Sequence, residues 1–94
     1  MSQYNFSSRP ERLDVMFGFD HALGYFVTVF KPNTEEDEAL VDLCSLFNGL
    51  TGPQLVEEVE NYNPPQGWPL RERQSGESLT WEQIRSRAFL DLAF

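Results

Sequence analysis

Cysteine is nearly absent from the chain. Cys44 is the only one in 94 residues, so no internal disulfide can form and cysteine usage implies no oxidising compartment. Basic residues are scarce: seven Lys and Arg face fifteen Asp and Glu, for a formal net charge of −8. That balance excludes phosphate-driven binding of nucleic acid, which needs cations to release counterions, and attachment to an anionic membrane surface. No apolar run approaches the length of a membrane span, and no charged segment followed by an apolar run opens the chain, so the expected location is the cytoplasm. The single His21 and single Cys44 cannot make a zinc set. The acidic run at 35–38 lacks the alternating oxygen ligands and glycine of a calcium loop. "GLTG" at 49–52 lacks the lysine of a phosphate loop. No cofactor and no metal are therefore expected. The "NFS" triplet at Asn5 matches a glycosylation acceptor and is read as chance in the absence of a secretory signal.

Aromatic residues, by contrast, are plentiful: eight Phe, three Tyr and two Trp. They give a chain of this length enough apolar area per residue for one core. The expectation is a single domain over 1–94 with a polar, aperiodic arm at 1–12.

The aromatic weight concentrates at 13–30. Leu13, Val15, Phe17 and Phe19 alternate with Asp14, Met16, Gly18 and Asp20. Tyr25, Val27 and Val29 alternate with Phe26, Thr28 and Phe30. Both runs have the period of two that marks strands. "DHALG" joins them as a hairpin loop, with Gly24 suited to a left-handed position. Opposing Phe19 to Tyr25, Phe17 to Val27 and Val15 to Val29 keeps every apolar residue facing an apolar partner; a one-residue slip would mix the faces.

Three helices are expected beyond the hairpin. Residues 33–47 carry Asn33 or Thr34 as a cap, acidic residues in the first turn, and an apolar stripe of Ala39, Leu40, Leu43, Cys44, Leu46 and Phe47. On that stripe Cys44 reads as a small buried hydrophobe. Residues 51–62 and a segment from Thr80 both begin with capping-box spacing, Thr51 to Gln54 and Thr80 to Gln83. Residues 89–94 fit either a continued helix or a short strand, because Leu90, Leu92 and Phe94 alternate. The Pro- and Gly-rich stretch 63–77 reads as a surface connection whose Trp68 packs back as a lid. The fold class expected is α+β: a β-hairpin, which a third, C-terminal strand can extend, packed against two or three α-helices.

Charge is distributed unevenly. Residues 33–62 hold eight carboxylates and no Lys or Arg, whereas the rest of the chain holds seven of each sign. Two readings follow: a solvated face that keeps the protein soluble, or a docking surface for a basic partner. Arg71, Arg73, Arg85 and Arg87 are natural partners for these carboxylates, within the chain or in a second copy. The leading functional expectation is a non-catalytic protein-interaction module: a small acidic regulator, inhibitor or accessory subunit. Its binding residues would be Glu35, Glu38, Asp42, Glu57 and Glu60 on an acidic helical face, Met16, Phe26 and Phe30 on an exposed aromatic sheet face, or both. The partner is expected to be another protein, basic or a second copy of this chain. The alternative is a structural, oligomerising subunit whose charge only maintains solubility. A third reading, an enzyme, rests on the adjacent Asp20 and His21 as an acid–base pair.

Overall fold

The computed structural model describes residues 2–8, 12–31, 39–90 and 92. The architecture is α+β: the described residues form a four-stranded antiparallel sheet, a two-stranded sheet and three helices. The large sheet is a meander in the order β1 (Ser2–Ser7), β2 (Asp14–Asp20), β3 (Gly24–Phe30), β4 (Ala39–Cys44). Strands β2 and β3 pair with Phe19 opposite Tyr25, Phe17 opposite Val27 and Val15 opposite Val29, the register that the alternation of apolar residues predicts. At the turn, Gly24 has φ +77° and a Cβ there would strike the Ser45 side chain, so both the backbone conformation and the space call for glycine.

Both outer strands differ from expectation. Ser2–Ser7 is not an arm: Tyr4 pairs with Phe17 and Phe6 with Val15, and Tyr4 is buried with its ring stacked on Phe17 at 5.8 Å between centroids. Two aromatics separated by one polar residue suffice because β2 offers them an apolar wall. Gly18 allows the strands to close, since a Cβ there would run into the Ser2 carbonyl.

Residues 33–47 do not form one helix. Ala39–Cys44 is β4, followed by the single turn of α1 (Ser45–Asn48); the proposed cap and Glu35, Glu36, Asp37 and Glu38 lie outside the described residues. Val41 lies opposite Val29 and Leu43 opposite Val27. This pairing satisfies backbone groups along the outer edge of β3 that a helix would leave open. The register shifts between Val29 and Phe30, and Leu40 is the extra residue of that bulge.

The remaining helices begin where their capping boxes predict. In α2 (Gly52–Glu60) and α3 (Trp81–Phe89), Thr51 with Gln54 and Thr80 with Gln83 make the reciprocal hydrogen bonds of the box. Leu55, Val56 and Val59 of α2 and Trp81, Ile84 and Ala88 of α3 are buried in one cluster with Val15, Phe17, Val27 and Val29. Phe17 is central: it meets Tyr4, Phe6 and the edge of Trp81, the last at 5.6 Å. Beyond α3 there is no strand among the described residues. The N–H groups of Leu90 and Leu92 donate back to the Arg87 carbonyl, so they are used in a terminal turn and not in a ladder. The small sheet pairs β5 (Pro69–Arg71) with β6 (Ser78–Thr80), with Leu70 and Leu79 opposed and buried. Trp68, expected as a lid, is 72% exposed; the buried Leu70 fills that role. Among the described residues no helix is long and apolar enough to cross a membrane.

Candidate functional site: the open face of the sheet

Side chains alternate between the two faces of a strand, and the two faces here have different fates. Tyr4, Phe6, Val15, Phe17, Phe19, Tyr25, Val27, Val29, Val41 and Leu43 point to the face that α2 and α3 cover. The opposite face carries Met16, Gly18, Phe26, Thr28 and Phe30 on the central strands, Gln3 and Asn5 on β1, and Asp42 and Cys44 on β4. No described helix lies across it. Met16, Phe26 and Phe30 remain partly exposed, and Phe47 of α1, which reaches over one end, is 78% exposed.

Charge on the sheet is confined to this face. The four strands contain no Lys or Arg and three acidic residues, Asp14, Asp20 and Asp42. The register places all three on the uncovered side: Asp14 opposite Phe30, Asp20 opposite Gly24 and Asp42 opposite Thr28. Two of them line a shallow concavity of about 330 Å³, where Met16, Leu23, Phe26 and Phe47 supply apolar walls and Asp20 and Asp42 supply carboxylates set four residues apart along the strands and two strands apart across the sheet. Asp20 Oδ1 accepts from the Ala22 N–H at 2.7 Å and the Leu23 N–H at 3.1 Å. These bonds, Ala22's above all, hold its carboxyl below the usual carboxylate range, so it is charged at neutral pH. Cys44, at the floor, is a free, buried thiol whose Sγ accepts from the Phe47 N–H.

The elements beside this concavity are tied together by side-chain hydrogen bonds. Ser45 sits behind it, its Oγ accepting from the Tyr25 N–H at 2.9 Å and donating to the Leu50 carbonyl at 2.5 Å. One hydroxyl thus ties the start of β3 to the exit of α1. Asn48 adds a second tie, its side-chain oxygen accepting from the Cys44 N–H at 3.0 Å, which covers part of the free edge of β4.

The structure brings together only some of the residues expected to bind. Met16, Phe26 and Asp42 line one concavity, and Phe30 shares their face. Glu57 and Glu60 lie on α2, which packs on the other face of the sheet, so they do not join Asp42 in one acidic surface. The reason is the change of residues 39–44 from helix to strand, which sends Asp42 to the side away from α2. Glu60 is also paired, with Arg85 Nε at 3.5 Å. Both partners are about half exposed, and such a pair contributes little to stability. Glu35 and Glu38 lie outside the described residues. Phe47 and Leu23 line the site without a signal in the sequence, since the helical stripe expected at 39–47 turns Phe47 toward the core.

The acid–base pairing of Asp20 with His21 is not formed. His21 is exposed at the turn with its ring edge-on to Phe19 at 6.2 Å, and Asp20 is engaged by the turn's own N–H groups. A second concavity, about 400 Å³, lies beside Asn5 and is lined by the 71–76 loop. It is organised by buried Glu72, whose carboxylate accepts from the N–H groups of Gln74, Ser75 and Gln3. These bonds hold the Glu72 carboxyl below the usual range, Gln74's contributing most. The carboxylate is thus engaged in holding the loop to β1. Among the described residues no group of three or more His, Cys, Asp or Glu is placed to hold a metal ion.

Comparison of the chain with protein-family models, with curated proteins and with solved structures finds no match.

Proposed function

We propose that the protein is a non-catalytic interaction module, a small regulator, inhibitor or accessory subunit, that docks another protein on the open face of its sheet. One observation carries this reading. A two-layer α+β domain covers one sheet face with helices and leaves the other with Met16, Phe26 and Phe30 partly exposed and Phe47 exposed, three of these four lining an apolar concavity. Met16, Phe26 and Phe30 stand outside the helix-covered core. Contiguous apolar surface of this kind marks interaction sites. The position on strands rather than loops favours the reading further, since a rigid platform limits the entropy lost on binding.

The α2 carboxylates are left as a solvating surface in this reading: Glu57 stands exposed and Glu60 is paired with Arg85. The experiment compares partner capture from native cell extract by three forms of the chain: unmodified, Met16→Ser with Phe26→Ser, and Glu57→Gln with Glu60→Gln. Thermal melts of each establish that the fold is kept. Capture lost only in the first pair of substitutions supports the open face. Capture lost only in the second pair assigns binding to α2 and refutes the reading.

A further inference from the structure

We infer that the concavity on the open face takes an arginine side chain from a basic, amphipathic segment of the partner. The inference rests on the open face being the docking surface, and it specifies the chemistry of what docks. The strands carry charge of one sign only and on one face only, through Asp14, Asp20 and Asp42. An apolar partner alone would bury these carboxylates unpaired, which is unfavourable. A second copy of this acidic chain would place six aspartates across one interface, and like charges brought together oppose association.

The concavity matches an arginine in its parts. Met16 and Leu23 offer apolar wall to an aliphatic stem, and Asp42, opposite Thr28 on the same concavity, stands to meet a cationic head, while Asp20 lies four residues further along β2 from Met16 and adds negative field at the far end. The rings of Phe26 and Phe47 line it as well and attract a cation through their faces. Neither carboxylate is paired with a basic residue among the described residues. The volume of about 330 Å³ lies at the lower end of the range of roughly 300–1,000 Å³ found for ligand sites, suited to one side chain. Phe30, further along β3, continues the apolar surface beyond the concavity, which suits the apolar stripe of a segment whose other face is basic.

The test is a titration of the ¹⁵N-labelled chain with a synthetic amphipathic helical peptide of about 18 residues, leucine on one face and arginine on the flanks, followed by amide shifts. The expected result is a set of shifts at Met16, Phe26, Thr28 and Asp42, with affinity falling as salt rises because exposed charges are screened. Replacing each peptide arginine by citrulline, which keeps the shape and removes the charge, should weaken binding by about tenfold or more. Asp42→Asn in the protein, at an exposed site where folding is not at stake, should cause a comparable loss for the arginine peptide and little for the citrulline peptide. Equal binding of both peptides at these residues overturns the arginine inference and leaves the docking face standing. Shifts confined to α2, or no binding, overturn both. Concentration-dependent self-association that disappears on Phe26→Ser identifies a second copy as the occupant and overturns the inference as well.

Discussion

Glu72 links the small sheet to the first strand, and its removal has a calculable effect. Its Oε2 accepts from the Gln3 N–H at 3.2 Å and the Gln74 N–H at 2.8 Å, its Oε1 accepts from the Ser75 N–H at 3.0 Å, and beside it the Arg73 N–H donates to the Gln3 carbonyl at 3.0 Å. In Glu72→Ala the exposed Gln74 and Ser75 regain water, so their bonds contribute about 1 kcal/mol between them, while the partly buried Gln3 N–H loses its acceptor at about 1–2 kcal/mol. The expected loss is about 2–3 kcal/mol, a fall in Tm of roughly 10–20 °C for a domain of this size. Glu72→Gln keeps one acceptor oxygen and should lose about half as much. The pH dependence has a definite sign. The folded carboxyl titrates below its unfolded value, so its stabilisation is complete above the unfolded pKa, near 4.3, and is lost as pH falls through the folded pKa. Glu72→Gln should therefore flatten the acid limb of stability against pH. Chemical denaturation across pH measures both effects, and amide exchange at Gln3 shows whether the damage is local. A Glu72→Ala chain within about 0.5 kcal/mol of the original, with an unchanged acid limb, would refute the reasoning.

Three further outcomes follow from the packing. Gly18→Ala forces a Cβ against the Ser2 backbone and should destabilise by about 1–3 kcal/mol, with exchange protection lost first in β1. Ser45→Ala removes the acceptor of the Tyr25 N–H and the donor to Leu50; denaturation should show a loss of about 1–3 kcal/mol. Trp68→Ser, at a site 72% exposed, should leave the melting curve within about 0.5 kcal/mol of the original, whereas a lid against the core would make it fall steeply.

The central strands were legible in the sequence because they carry their own evidence. Val15, Phe17 and Phe19 have one register that opposes them to Val29, Val27 and Tyr25, and the loop between is short enough to be local. The caps at Thr51 and Thr80 were legible for the same reason, each lying within four residues of its partner. The outer strands were not. Leu40, Leu43, Cys44 and Phe47 fit a helical stripe as well as they fit a strand, and what decides is the unpaired edge of β3, which lies elsewhere in the chain. Tyr4 and Phe6 look like isolated aromatics until Phe17 and Val15 are set beside them. The aromatic half of the site, Met16, Phe26 and Phe30, followed from alternation. The acidic half changed with the fold, since a strand at 39–44 takes Asp42 to the face away from α2 and onto the concavity that Asp20 also lines.

The most direct measurement places a photoreactive phenylalanine analogue at Thr28, in the middle of the open face, or at the exposed Glu57 on α2, and irradiates each chain in native extract. The account predicts a covalent adduct with another protein from position 28 and none from position 57. Adducts from 57 alone, or none from 28 in a chain that remains folded, would contradict it.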